Sequence, residues 1–237
     1  MPGMRTTELG DLHVRPGAEV ILPGFGGIEV AEQVRRLGAV PVIVDVDPRS
    51  YCIDPISVDA AVTPRTEAVV AVPLFGHPAP TAALVSVTGR HGVRLEEVGP
   101  CLGPCTEPAP LEVAARRRNA AYVNTRLRGV VPPAAAGRDP GGHMYSAYVV
   151  RVPGNGRPDR DAYLHALRAK GVNCRVPVRT AVHRAPGFRT GTRLPEAERA
   201  VDECLALSLG PSLTKRELHR VVSACNSLGG LVLDSAC

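Results

Sequence analysis

Short apolar runs alternate with amphipathic stretches through the first half of the chain. Ala18 to Leu22, Pro41 to Val46, Ala68 to Leu74 and Val93 to Leu95 are compact runs rich in Val and Ile. Runs of this kind, with little alternation of polar positions, predict strands buried on both faces of a parallel sheet. Between the first two, Val30, Val34 and Leu37 recur at helical spacing and Gly38 follows as a C-terminal stop. Between the next two, Asp54 and Pro55 are the residue types of an N-cap and a first helical position. Strand, helix, strand, helix, strand in that order predicts an α/β unit.

The stretch GPCLGPCTEPAP, from Gly99 to Pro110, holds four prolines and predicts a linker. A second unit follows, so the expected domains are Met1 to Cys105 and Thr106 to Cys237. Val113, Ala120, Val123 and Leu127 mark an amphipathic helix, and His143 to Val152 reads as a strand after the loop PPAAAGRDPGG. Asp159 caps a helix that ends at Gly171, and Val172 to Val178 reads as a further strand. Ala197, Ala200, Val201, Cys204 and Leu205 fall on one helical stripe. The last helix opens with a capping box, Thr214 and Glu217, carries Leu218, Val221, Val222 and Cys225, and is expected to stop at Gly229. No internal repeat is visible.

Composition narrows the classes. With 237 residues, 44% of them hydrophobic and 22% charged, the chain has enough apolar residues for a core, which excludes disorder as its main state. The net charge of +5 comes almost wholly from Arg, since Lys170 and Lys215 are the only lysines. Only Arg116, Arg117 and Arg118 run together and the aromatics, 3% of the chain, are scattered, so this reads as a solvated helix face and no nucleic acid is expected. The longest apolar run, Ala68 to Phe75 broken only by Pro73, is far short of the ~20 residues that span a bilayer, and the N-terminus has no apolar core after its first charge. No membrane association is expected, and the location is expected to be cytoplasmic. Seven cysteines, an odd number in a well-cored chain, point to reduced thiols.

Several blocks resemble a known family. RPGAEVILPGF, GAVPVIVDVDPRSYCIDP, VTPRTEAVVAVPLFGHPA and RHGVRLEEVGP resemble, in order, successive blocks of the DegT/StrS-type sugar aminotransferases. NAAYVNTRLRGV, HMYSAYVVRVP, ALRAKGV, VHRAPGFR and LPEAERAVDECLALSLGPSLTKREL resemble that family's small C-terminal domain. The resemblance implies a truncated large α/β domain of aminotransferase-like fold-type I, with a parallel or mixed sheet, and a small C-terminal α+β domain. It also implies amino-group transfer by pyridoxal phosphate onto a nucleotide-linked keto-sugar, in homodimers that share active sites, within a natural-product or amino-sugar pathway.

Judged against the resemblance, the cofactor determinants depart. The family's Schiff-base lysine belongs to a segment that is missing between Cys105 and Leu111, and Lys170 and Lys215 match helix positions of the small domain. Counted without a gap, Glu97 matches the Glu of the family's Glu-Asp pair and Val98 stands at the Asp; a one-residue deletion would instead bring Glu97 to the Asp position. Gly26 and Gly27 stand where the family has Thr and a ring-stacking aromatic. The phosphate-cradling segment would precede Glu8. The expectation is therefore no cofactor. The chain is expected to be a homodimer, or a heterodimer with a full-length aminotransferase, with a sugar or natural-product substrate as a further partner.

Two groups of side chains remain as candidates. Glu97, Cys101 and His77 are candidate catalytic residues: Cys101 and Cys105 sit in the linker and His77 follows a strand end, where α/β folds gather ligands. Glu96 and Glu97 could serve acid–base chemistry if buried, since desolvation raises a carboxyl pKa. CxxxC without a second pair at ligand spacing argues against a metal. His143, Tyr145, His183 and Arg184 match family positions and are candidate substrate contacts, whereas Pro177, Val178 and Arg179 replace the family's polar His-Tyr-Pro. Three readings stay open: a partner of a full-length relative, a cofactor-free enzyme using the vacated pocket, and a residual pyridoxal-phosphate-dependent sugar aminotransferase.

Overall fold

The computed structural model describes residues 5–7, 11–98, 109–132, 142–152 and 159–233. The chain divides into two compact units, Met1–Cys105 with Thr180–Arg199, and Thr106–Arg179 with Ala200–Cys237. The sequence assigned everything after residue 105 to the second domain; Thr180–Arg199 instead groups with the first.

In the first unit β1 (Arg5–Thr7), β2 (Glu19–Pro23), β3 (Val40–Val44), β4 (Thr66–Ala71) and β5 (Arg94–Val98) form a parallel sheet in the order β1-β5-β4-β2-β3. Helices α1 (Ile28–Arg36), α2 (Pro55–Ala61) and α3 (Thr81–His91) make the crossovers. Each starts or stops for a local reason. Gly38, at φ 76°, ends α1 in the left-handed region that a side chain resists. The Asp54 carboxylate accepts from the Ile56 and Ser57 N–H groups, and Pro55 fills the first helical position, where no N–H is needed. Ile21, Val69, Ala71 and Leu95 pack under Val58 of α2 and Leu84 and Val87 of α3, all buried. Strands covered in this way read as continuous apolar runs.

The segment Thr180–Arg199 is tied to the ends of these strands. The Val182 N–H donates to the Gly24 carbonyl at 2.8 Å. Helix α6 (Pro195–Glu203) begins with free N–H groups, and Asp45, just beyond β3, accepts from Glu196 at 3.0 Å and Ala197 at 2.8 Å. The cap is thus supplied from far along the chain. A side chain at Gly24 would meet Leu194 Cδ1 at 2.7 Å, so glycine there permits the close approach.

The second unit is a three-stranded antiparallel sheet of β6 (Tyr148–Arg151), β7 (Cys174–Arg175) and β8 (Cys204–Leu207) in the order β6-β8-β7, with α4 (Pro110–Asn124), α5 (Asp159–Ala169) and α7 (Lys215–Leu233). Tyr148, Val150, Leu167, Leu205, Leu207, Val222 and Cys225 are buried in its core. The predicted capping box is present: the Glu217 carboxylate accepts from the Thr214 N–H at 2.8 Å and the Thr214 hydroxyl at 2.7 Å.

Four expectations need correction. The strand predicted from His143 begins only at Tyr148, because the backbone turns at Tyr145 with φ 49°. The one predicted over Val172 to Val178 shrinks to Cys174–Arg175. The helical stripe through Cys204 and Leu205 stops at Glu203, and those two residues open β8, the central strand of the small sheet. The last helix runs through Gly229 to Leu233. The linker predicted from Gly99 lies mostly outside the described residues.

Candidate functional site

The carboxyl ends of the parallel strands gather the first unit's candidate residues, as expected for α/β sheets. After β2 the chain passes through Gly24, Phe25, Gly26 and Gly27 before α1. Gly26 has φ +75°, and a side chain there would meet Leu74 Cδ2 at 2.7 Å. At Gly27, the N-cap of α1, a Cβ would meet the Pro23 carbonyl oxygen at 2.8 Å. The turn is closed against side chains at both positions. Beside it, the buried rings of Phe25, Tyr51 and Phe75 face one another at centroid distances of 5.8 to 6.1 Å. Tyr51 and Phe75 hold positive φ, 60° and 59°, a conformation uncommon for bulky residues and fixed here by the mutual packing.

Glu97 lies at the end of β5 and His77 follows β4. The residue they share is Cys52, which the sequence reading passed over. Its thiol is fully buried, 4.0 Å from the His77 carbonyl and 3.9 Å from the Pro78 carbonyl. Burial pushes the Cys52 thiol up to about 11, and the Glu97 charge adds a little in the same direction. Burial also raises the Glu97 carboxyl. At neutral pH Cys52 is therefore a thiol, a poor nucleophile. His77 Nδ1–H donates to the Pro78 carbonyl at 2.8 Å, fixing the ring locally. Glu96 is buried, 3.5 Å from Arg94. Cys101 and Cys105 lie outside the described residues. The one sequence signal for Cys52 was its place in YCIDP, just past a predicted strand.

His183 and Arg184 occupy a short 3-10 turn, Val182–Arg184, in the returning segment. His183 is buried, and its Nε2–H donates to Glu198 Oε1 at 3.0 Å, while Nδ1 is buried with no hydrogen-bond partner. Arg184 meets the other oxygen of Glu198 at 2.6 Å. His143 and Tyr145 belong to the second unit, both buried, with rings stacked at 4.0 Å. The Tyr145 N–H donates to His143 Nδ1 at 2.9 Å, and Arg117 Nε donates to the His143 carbonyl. The four proposed substrate contacts are thus divided between the two units, two in each. Among the described residues, no three His, Cys, Asp or Glu side chains are grouped to hold a metal.

The profile of the DegT/DnrJ/EryC1/StrS aminotransferase family matches residues 5–97 and 109–226. The chain belongs to this family. A UDP-2-acetamido-2-deoxy-3-oxo-D-glucuronate aminotransferase of Pseudomonas aeruginosa is 46% identical over 86 residues, which are 36% of this chain and 24% of that protein. An L-glutamine:2-deoxy-scyllo-inosose aminotransferase of Streptoalloteichus tenebrarius is 48% identical over 81 residues, 34% of this chain and 19% of that protein. The matched segment therefore spans a quarter or less of these relatives. A DegT DnrJ EryC1 StrS aminotransferase from Brucella abortus has the same fold, with a TM-score of 0.78 at 19% identity over 92% of this chain and 81% of that one.

The family resemblance implies pyridoxal phosphate, whose ring needs a stacking face. Neither Gly26 nor Gly27 presents a side chain for that, since a Cβ there would meet Leu74 or the Pro23 carbonyl. Burial raises the Glu97 carboxyl at the neighbouring strand end. No helix among the described residues is long and apolar enough to cross a membrane.

Proposed function

We infer that this chain is an aminotransferase-family protein of amino-sugar or aminocyclitol metabolism that forms no Schiff base with pyridoxal phosphate and acts as the partner of a full-length relative. The observation that carries the reading is the closed glycine turn, where a Cβ at Gly27 would lie 2.8 Å from a backbone oxygen. Two further facts support it. The family match leaves the stretch between residues 97 and 109 unmatched, and the resemblance puts the lysine-bearing segment next to it, between Cys105 and Leu111. The lysines present, Lys170 and Lys215, are a residue just past α5 and the first residue of α7 in the second unit. The pathway rests on the activities of the relatives named above, and the partner role on the shared active sites that the resemblance implies.

The test is spectroscopic. Purified protein mixed with pyridoxal phosphate is expected to show no aldimine band near ~400 nm and no lysine labelled after borohydride, since the band reports the covalent lysine adduct. A specific adduct at Lys170 or Lys215 would return transamination to this chain. Co-expression with a complete family member is expected to give a heterodimer on size exclusion. A solitary homodimer that turns over a sugar substrate without cofactor, and loses that activity in Glu97→Gln, would instead favour the cofactor-free enzyme; the raised Glu97 carboxyl is the observation on that side.

A further inference from the structure

The second unit carries a concentration of positive charge on one helix face, which Glu217 offsets only in part through its attraction to Arg220. Helix α7 opens with Lys215, Arg216, His219 and Arg220 in its first turns, and Lys170 lies just past the end of α5. Lys170, Arg216, His219, Arg220, Ser223 and Ser227 line one groove of about 460 Å³. On α7 these residues recur at intervals of three and four, so they share a face, while Leu218, Val221, Val222 and Cys225 occupy the buried face. Among the described residues, no carboxylate lines the groove. Glu217, the acidic residue in this part of α7, is held by the cap at Thr214. Among the described residues, Lys170, Arg216 and Arg220 have no carboxylate within the 4.0 Å of an ion pair.

Two electrostatic rules make this arrangement unfavourable for the free protein. Cations near a helix N-terminus oppose the macrodipole, and Arg216 and Arg220 are a like-charged pair one turn apart. Both penalties vanish when an anion occupies the groove. We propose that the α5–α7 groove is a binding site for a compact polyanion, a diphosphate group, either free or carried by a nucleoside. The volume falls in the range of small-molecule sites, about 300–1,000 Å³. Arg216 and Arg220, whose backbone positions are about 6 Å apart along the helix, present two guanidinium groups on one face; arginine binds phosphoryl groups through paired hydrogen bonds, with Lys170 adding a point charge from just past α5. A single-stranded nucleic acid fits less well, because no aromatic ring lines the groove to stack a base.

The site is independent of the glycine turn; Lys170 is the one residue that the aldimine experiment also reads, and the arginines test the groove without it. The full chain would be titrated calorimetrically at low salt with inorganic pyrophosphate, with ADP and with adenosine. Saturable one-to-one binding of pyrophosphate and ADP is expected, with none for adenosine; equal affinities identify the free diphosphate as sufficient, and tighter ADP shows that a nucleoside adds contacts. The double variant Arg216→Ala with Arg220→Ala should bind about tenfold or more weakly, because charge-assisted bonds are lost. Lys170→Gln, on the other helix, provides the same readout should the double variant fail to fold, as checked by circular dichroism. Unsaturable binding, wild-type affinity in these variants, or stronger binding to single-stranded oligonucleotides that grows with their length would overturn the proposal.

Discussion

The buried carboxylates of the first unit and the α5–α7 groove of the second treat charge in opposite ways, although the second unit also pairs Arg151 with Glu203. In the first, the buried Glu19 carboxylate accepts from the Thr63 hydroxyl and from Arg65 at 2.9 and 2.6 Å. Glu67 meets Arg15 at 3.2 Å and Arg94 at 3.0 Å, and Glu198 lies between His183 and Arg184. Each pair joins segments or turns that must stay in register. In the second unit, the α5–α7 groove presents cations with no acidic side chain among them. Charges that are answered inside the protein hold its architecture, while charges left open raise the local potential for something outside it.

The same contrast ranks the variants. The largest effect is expected at the glycine turn: Gly27→Phe should lower stability by about 3 kcal/mol, the cost of forcing a side chain against the Pro23 carbonyl. An unchanged urea midpoint would mean that the turn opens freely and could hold a ring after all. Asp45→Ala removes the acceptor for two N–H groups at the start of α6 and should cost about 1 kcal/mol, read in the same denaturation curve. No loss there would show that α6 does not depend on its long-range cap.

Acid should act through the first unit. The Thr63 hydroxyl, with Arg65, holds Glu19 below the usual carboxylate range, and the His183 hydrogen bond, with Arg184, does so for Glu198. A carboxylate whose native pKa is depressed adds stability that is full above its unfolded pKa and is lost as pH falls through the native one. Stability should therefore decline below about pH 5, since unfolded carboxylates titrate near about 4. Arg216→Ala with Arg220→Ala should keep that decline, and Glu19→Gln should shrink it. A flat profile between pH 7 and 3 would break the comparison.

The smallest effects are the sharpest in sign. Arg65→Ala should destabilise by about 0.5 kcal/mol, the scale of a pair with one exposed partner. Arg220→Ala, without ligand, should be neutral or stabilising by about 0.3 kcal/mol, because it relieves a like-charged pair at i,i+4. Two arginine truncations moving stability in the same direction would show that the two regions are not distinct in the way their geometry implies.

Much of the fold was legible because its signals are local. The Asp54–Pro55 start, the Gly38 stop and the Thr214/Glu217 capping box each depend on a few neighbouring residues, and each is in place. Cys204 and Leu205 were not legible: they continue the stripe of α6, and no breaker separates helix from strand, yet Cys204 to Leu207 are buried as the middle strand between β6 and β7. A short apolar run carries no period of its own, so pairing decides its state. The candidate site shows the same division. Glu97 and His77 were proposed from strand ends, whereas Cys52 meets the His77 backbone only through folding, and the high pKa of its thiol comes from burial.

The sequence by itself determined the family, the alternation of strands and helices, the caps, and the pair of glycines at positions 26 and 27. These follow from residue types and short spacings, which act before any distant contact forms. Only the tertiary structure decided that Thr180–Arg199 returns to the first unit, that Asp45 caps a helix 151 positions away, that the glycine turn is closed, and that α5 and α7 share a basic groove. Those properties depend on which surfaces meet, and burial, desolvation and potential are set by neighbours in space rather than along the chain.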